Sequence, residues 1–456
     1  MSREAAYAAL AERFGPRFTR AAGIRAQHVN TVTWVAPQPP EAVVTPGSTE
    51  EVAEIVGVCA AHRVPIIPFG TGTSVEGQVN APEGGLCVSL REMGRIVAVH
   101  AEDFDAVVEA GVTRGQLNAH LRDQGLFFSI DPGADASFGG MASTRASGTN
   151  AVRYGTLRDN VVALKVVLPN GAVVVTASRA RKSAAGYDMT RLFVGAEGTL
   201  GIITEVTVRL HGIPEAIVAG TCAFPGVGAA CDAVLDTLRM GLPIARVELL
   251  DAAQIRACNA YSKLALPELP HLFVEFHGTE AGVAEQVGRF AELAAGHGGT
   301  RLAWAAEHEA RHRLWAARHE SFWAAIASRP GSRGVSTDIC VPISRLAGCI
   351  LETREDMDAH GIPGTIQGHV GDGNFHAIPL VDPDNPAEVA RLEGFLDRLA
   401  ARAHAAGGTC TGEHGIGQGR RRYMVAEFGG ELVAAMAAVK RALDPAGMMN
   451  PGKVLP

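Results

Sequence analysis

The sequence predicts an α+β protein of more than one domain. Three observations carry this. The chain has 456 residues, longer than a single hydrophobic core usually supports. In its first half, short strand-like runs end in glycine-rich loops, within a total of 53 glycines. Near His211-Gly212-Ile213-Pro214 the pattern changes to strands alternating with longer helices.

Each element has a local reason. Ser48 and Glu51 are spaced as a capping box, and Val52, Ile55, Val56, Cys59 and Ala60 follow at helical spacing. Val64 to Pro68 reads as a short buried strand running into the loop Phe69-Gly70-Thr71-Gly72-Thr73-Ser74. Strand patterns recur at Leu86 to Leu90, Ile96 to His100 and Ala106 to Ala110. Thr113 caps a helix that stops at Gly125. Pro169-Asn170-Gly171 is a hairpin signal between Val161 to Leu168 and Ala172 to Thr176. A Thr/Val/Ile-rich strand within Gly198 to Leu210 closes this part. Beyond it, strands are expected at Ala216 to Phe224, Leu272 to Phe276 and Val335 to Val341. Helices are expected at Gly228 to Arg239, Ala281 to Ala295, Glu307 to Ser328 and Arg345 to His360, with one more in the tail after Gly412. Antiparallel strands covered by helices make the second domain α+β. No repeat of fixed period occurs.

Composition excludes several classes. At 47% hydrophobic and 20% charged residues the chain is neither disordered nor of low complexity. Lys+Arg 41 against Asp+Glu 48 leaves a net charge of −7, which argues against nucleic acid as the partner. No apolar run is long enough for a transmembrane span, and Met1 to Arg20 reads as neither signal nor transit peptide. The eight cysteines are scattered without a Cys-x-x-Cys. Reduced thiols, a cytoplasmic setting and no iron–sulfur cluster are therefore expected.

Two constellations carry chemistry. The first is the loop Gly70 to Ser74. Successive N–H groups there can face an anion, small side chains permit close approach, and Thr71, Thr73 and Ser74 add hydroxyl donors. It matches neither the dinucleotide fingerprint nor a P-loop, and alone it is equally a glycine-rich turn. Pro132-Gly133, Gly139-Gly140-Met141, Gly148 to Gly155 and Gly195 to Ile202 add backbone-exposing loops that suit a long ligand such as a dinucleotide. Phe138, Met141 and Trp323 are read as core packing, with a role lining a ligand site as the other reading.

The second constellation is His369-Val370-Gly371-Asp372-Gly373-Asn374-Phe375-His376, two histidines around a turn. If Val370 pairs with Phe375, His369 lies directly opposite His376, with Cβ atoms about 4.5–5.5 Å apart. Two imidazoles so placed can share a divalent ion, and Glu413, on the glycine-flanked loop Gly412 to Gly417, supplies a carboxylate as third ligand. The alternative is a cross-strand packing pair. Three protein ligands would leave an open, catalytic position.

At these residues the chain resembles a known family. Pro68 to Ser74, Gly148 to Gly155 and Gly195 to Ile203 resemble the FAD-binding domain of the vanillyl-alcohol oxidase / para-cresol methylhydroxylase superfamily. Gly368 to His376, Gly408 to Gly417 and Met449 to Lys453 resemble its D-2-hydroxy-acid dehydrogenase branch. Asp131 to Ser137, Gly148 to Thr156, Lys182 to Asp188, Arg191 to Gly201 and Ser336 to Leu346 are most similar to the cytochrome-linked D-lactate dehydrogenases within it. The resemblance implies a two-subdomain FAD-binding domain (36–213), an α+β substrate or cap domain with an antiparallel sheet (214–415) and a C-terminal segment (416–456) returning to the FAD domain, after an N-terminal segment (1–35). It implies FAD held by Pro68, Phe69, Gly70, Thr71, Gly72, Thr73, Ser74, Pro132, Gly133, Gly140, Met141, Gly148, Thr149, Asn150, Gly155, Glu197, Gly198, Gly201, Ile203 and Asn450. No His, Cys or Tyr lies between Pro68 and Asn80, so the flavin is expected to be non-covalent.

The branch further implies a divalent metal, zinc or manganese, on His369, His376 and Glu413, with His414 as general base. His414 alternatively only orients Glu413. A substrate carboxylate needs a fork-shaped cation, and Arg318 sits where the branch has its substrate-binding arginine; composition alone would read it as a helix-surface ion pair with Glu320. Hydroxyglutarate-specific relatives carry a lysine and an asparagine where this chain has Ser336 and Ile378. That implies a D-2-hydroxy monocarboxylate such as D-lactate, oxidised to the 2-oxo acid. Glycolate oxidase subunits, D-2-hydroxyglutarate dehydrogenases and an inactive flavin-binding subunit are the alternatives. Without a haem motif or cysteine cluster, electrons are expected to leave to an external cytochrome, quinone or electron-transfer flavoprotein, with peripheral membrane association and a homodimer left open.

Overall fold

The computed structural model describes residues 2–456. The chain divides into two compact units. One holds the residues up to Ser147, Gly155–Ile213 and Glu413–Pro456; the other holds Gly148–Tyr154 and Pro214–Gly412. Both are α+β, as the sequence predicts.

The first unit contains two larger sheets and the short antiparallel pair Leu126–Phe127 with His211–Gly212. In one, the parallel strands Ala42–Val44, Leu86–Ser89 and Ile66–Phe69 are extended by the antiparallel Phe18–Thr19. Helices Arg3–Phe14 and Thr49–His62 pack on it through Leu10, Phe14, Val52, Ile55, Val56 and Cys59. Ser48 caps the second helix, its hydroxyl accepting from Glu51 N at 3.3 Å. The reciprocal half of the expected capping box goes elsewhere. The Glu51 carboxylate accepts from Gly47 N at 2.7 Å and from Arg17 at 2.6 Å. The other sheet is antiparallel, in the order Ile96–His100, Asp105–Glu109, Ile202–Arg209, Val161–Val167, Val173–Val175. Its last two strands are joined by the expected Pro169-Asn170-Gly171 turn, where Gly171 takes φ +83°. Thr113 caps Arg114–Leu121 in a full capping box, and the helical stretch ends at Gly125 with φ +68°.

The second unit is built on an eight-stranded antiparallel sheet. Strand alternation divides it into two chemically different faces. Along Ile244–Leu250, Val247 and Leu249 join the large core; along His271–Gly278, Leu272, Val274 and Phe276 do, and along Asn374–Val381, Phe375 and Ala377. Helices Val227–Arg239, Glu280–Gly296, Ile343–Ala359 and Pro386–Ala405 supply the rest of that core. The alternate positions include Arg246 and Glu248, Glu275 and His277, and His376, which make part of the opposite face polar, beside apolar Leu250, Phe273, Ile378 and Leu380.

Three expectations need correction. The helix expected over Glu307 to Ser328 is two helices, His308–His319 and Ser321–Ala327. No glycine or proline marks the break at Glu320; buried hydrogen bonds hold it, with Gln254 Nε2 donating to Ser321 O at 2.9 Å and Arg318 Nη1 to Ser321 Oγ at 3.2 Å. Of the strand expected over Val335 to Val341 only Ile339–Cys340 is strand, and Arg333–Gly334 pairs just before that range. Between them the Thr337 hydroxyl takes over part of the ladder, donating to Ala377 O and accepting from Ala377 N. Phe138 and Met141 are buried in core, but Trp323 is half exposed.

Candidate active site

The two hairpin histidines lie on the polar face of the second unit's sheet, with ring centroids 5.3 Å apart and planes at 84°. The register differs from the one the sequence suggested. Gln367, not His369, pairs with His376, because the turn is longer: both Asp372 N and Asn374 N donate to His369 O. A slip of two residues preserves side-chain parity, so His369 remains a diagonal neighbour of His376 on the same face. Gly371 seats the turn, since a Cβ there would meet Val247 at 2.6 Å and Val152 at 2.7 Å.

Each imidazole is held through Nδ1. His376 Nδ1 donates to Thr337 O at 2.7 Å, and His369 Nδ1 to Glu248 Oε1 at 2.7 Å. Both bonds select the tautomer whose Nε2 carries the lone pair, the arrangement a metal-binding histidine requires. Ligand atoms of the pair lie within 4.8 Å of one another. Asp338, which the sequence reading passed over, accepts from Asn374 Nδ2 at 2.8 Å and from Thr411 Oγ1 at 2.7 Å. It thereby ties the hairpin to the segment ending at Gly412, where a Cβ would meet Asn374 at 2.5 Å. Glu413 is the next residue in the chain.

Arg318 is not on a helix surface, nor does it pair with Glu320. It is buried, and Nε and Nη2 donate to Glu248 Oε2 at 3.0 and 2.5 Å. With Ser321 taking a hydrogen from Nη1, three of its five N–H groups are spent on protein acceptors among the described residues. One hydrogen on each terminal nitrogen remains, the pair a substrate carboxylate can take side by side. Glu248 is fully buried. Burial pushes its carboxyl up, and the attraction and hydrogen bonds of His369 and Arg318 outweigh this, so its pKa lies below the usual carboxylate value. Ile378 and Leu380 lie along the same strand face, packed against Ala325.

A second polar group on this face was also missed. Glu275 accepts from Trp315 Nε1 at 2.6 Å and from His277 Nε2 at 2.8 Å. His277 Nδ1 then accepts from the Tyr154 hydroxyl at 2.8 Å, and Arg246 Nε donates to Asn150 Oδ1 at 2.8 Å. The Gly148–Tyr154 segment, with the candidate residues Gly148, Thr149 and Asn150, is thus anchored on this sheet. The signal was present: Ile244–Leu250 places Arg246 and Glu248 at a spacing of two within an apolar run, the pattern of a strand with one polar face.

The remaining candidate residues belong to the first unit. Pro68 and Phe69 end a strand, and Gly70 to Ser74 follow it. A Cβ on Gly70 would sit 2.3 Å from Ser137 Oγ, and one on Gly140 3.1 Å from the same atom. Thr71 and Thr73 hydroxyls are 3.1 Å apart, and Ser74 accepts from Asn30. Gly195 N and Glu197 N donate to Ala142 O and Ser143 O, bringing the third loop against the helix Phe138–Thr144. Asn450 Nδ2 donates to Gln78 O at 3.0 Å and to Glu197 O at 2.6 Å. Others of the expected cofactor residues also pack against the protein. Gly72, Gly198 and Gly201 make room for Phe69, Pro68 and Val166; Ile203 and Met141 point into the core; Pro132 and exposed Gly133 flank the loop, and Gly155 closes on Asp159. The Glu197 carboxylate accepts from Ile416 N at 2.7 Å and Gly417 N at 2.8 Å, while Gln78 Nε2 donates to His414 O at 2.7 Å. These bonds fix the loop that carries Glu413 and His414.

The cradle fits a cofactor with many polar atoms. Ser137 Oγ and Asn450 Oδ1 are buried without a protein partner among the described residues, a costly state unless a ligand completes them. The histidine pair fits a divalent ion by donor type and tautomer.

Comparison with known proteins identifies the family and the fold. Residues 40–177 match the FAD binding domain family, and residues 213–454 match the C-terminal domain of FAD linked oxidases. The chain is 50% identical over 435 residues to a probable mitochondrial D-lactate dehydrogenase of Danio rerio, covering 95% of this chain and 88% of that one. It is 48% identical to the mitochondrial D-lactate dehydrogenase (cytochrome) of Arabidopsis thaliana, covering 91% and 74%. The structure of p-cresol methylhydroxylase with substrate bound superposes with a TM-score of 0.82 at 19% identity, covering 99% and 96%, which establishes the fold. The chain therefore belongs to the family of FAD-linked D-lactate dehydrogenases of the cytochrome type, on the vanillyl-alcohol oxidase / para-cresol methylhydroxylase fold.

Proposed function

We propose that this enzyme oxidises D-lactate, or a similar D-2-hydroxy monocarboxylate, to the 2-oxo acid and passes the electrons to an external acceptor. The observation that carries this is the Arg318–Glu248–His369 array on one sheet face: a guanidinium with two N–H groups to offer, beside an imidazole pair of metal-binding tautomer. Arg318 takes the substrate carboxylate. His369, His376 and Glu413 hold a divalent metal, zinc or manganese, which when bound makes the substrate hydroxyl more acidic. His414 takes the hydroxyl proton on its imidazole. Backbone and hydroxyl groups of Gly70 to Ser74, with Ser137, Gly140 and Asn450, hold non-covalent FAD, which supplies hydride-accepting capacity.

Ile378 and its apolar neighbours favour one carboxylate over two, since a second charge buried against them would lack a partner. No described helix is long and apolar enough to cross a membrane. The names of the two relatives place those proteins in mitochondria; for this chain the proposed setting is cytoplasmic, with peripheral membrane contact made through its electron acceptor. Anaerobic mixing with D-lactate, L-lactate, glycolate and D-2-hydroxyglutarate, followed through flavin absorbance, tests the reading. Fast bleaching by D-lactate supports it. Preferential bleaching by D-2-hydroxyglutarate would reverse the argument from Ser336 and Ile378, and bleaching by none would favour an inactive flavin-binding subunit.

A further inference from the structure

Glu248 divides its two carboxylate oxygens between two different partners. Oε2 accepts from Arg318 Nε at 3.0 Å and Nη2 at 2.5 Å; Oε1 accepts from His369 Nδ1 at 2.7 Å. The carboxylate is wholly buried and the guanidinium nearly so. A buried carboxylate with one arginine would already be neutralised, so the second bond is not needed to pay for burial. Its consequence is geometric. The guanidinium and the imidazole both take their orientation from the same group.

We propose that Glu248 is a positioning residue that couples the two arms of the site, so that the orientation of Arg318 toward substrate and the affinity of His369 for metal are linked. The proposal rests on the reading of Arg318 as carboxylate partner and His369 as metal ligand. Linkage of this kind is reciprocal: loosening one arm loosens the other. Glutamine at 248 would present an amide N–H to one of two neighbours that are both donors, and so cannot keep both bonds. Aspartate keeps the charge but is one methylene shorter.

The test is metal affinity without substrate, by competition of the FAD-loaded protein with a chelator for Zn²⁺ and for Mn²⁺, together with kcat and KM for D-lactate. Glu248→Gln is expected to weaken metal binding about 10- to 100-fold and to raise KM. Glu248→Asp should recover part of both. The decisive variant is Arg318→Lys, a change that leaves every proposed metal ligand intact. It is expected to weaken metal binding several-fold through Glu248, and to add little when combined with Glu248→Gln. Metal affinity unchanged in Arg318→Lys, or additive losses in the double variant, would overturn the coupling while leaving the metal reading intact. A wild-type protein that binds neither ion would overturn the metal reading itself.

Discussion

Glu197 lies in a loop that contributes a backbone bond to Asn450, yet its side chain works elsewhere. Its carboxyl is fully buried, and burial pushes its pKa to about 7, against the lowering effect of the N–H groups of Ile416 and Gly417. Glu76 nearby raises it further and Lys453 lowers it. The folded state therefore keeps a proton between about 4.5 and 7 that the unfolded chain releases. Stability from this group is present at low pH and is lost as pH rises through that window, with a slope of at most about 1.4 kcal/mol per pH unit. Glu197→Gln removes the titration at the cost of one backbone hydrogen bond. Urea midpoints from pH 5 to 8 should show the wild-type advantage over the variant shrinking as pH rises. A constant difference would mean that Glu197 is ionised throughout. Glutamate among glycines was legible in the sequence as a site feature. Its partner was not, because Ile416 and Gly417 lie more than two hundred residues away and only the fold brings them together.

At the scale of elements, the histidine hairpin shows what pattern can and cannot specify. Glycine and asparagine between the histidines made the turn legible, and alternation predicted one face for both rings. The register was not legible, since a loop of this composition closes in more than one way; only a slip of an even number of residues keeps His369 and His376 together. The strand Ile244–Leu250 escaped notice because Gly241 and Pro243 precede it and two charges interrupt it, although those charges are the ones that bond Asn150, Arg318 and His369. The hairpin's dependence on its turn can be measured. Gly373 has φ +79°, and a Cβ there would lie 2.1 Å from Val341 O. Gly373→Ala should destabilise the fold by about 1–3 kcal/mol and weaken metal binding by displacing the turn. Gly361, with φ +60° and open space around it, is the control: Gly361→Ala should cost stability without touching metal affinity. Equal metal affinity in both variants would separate the turn from the metal site.

For the whole molecule, most candidate flavin residues and the two hairpin histidines belong to different cores. Most candidate flavin residues lie in the unit built around the Ile66–Phe69 and Ile202–Arg209 sheets, whose cores are closed by residues of that unit. His369 and His376 lie in the other, on a sheet with its own core of Val247, Leu249, Phe276 and Phe375. Neither core contains a metal-ligand candidate as a packing residue, so removing the ion should leave both packed. Exhaustive chelation is therefore expected to leave the flavin bound and the protein yellow, with thermal unfolding shifted by no more than the lost binding free energy. Reduction of the flavin by D-lactate should stop, because the hydroxyl proton would have to leave without help from a cation. Adding back Zn²⁺ or Mn²⁺ should restore bleaching, and the ion that restores it at lower concentration identifies the better fit for two imidazoles and a carboxylate. Unchanged reduction after chelation would reduce the histidine hairpin to a structural element and leave the hydroxyl proton to His414 alone.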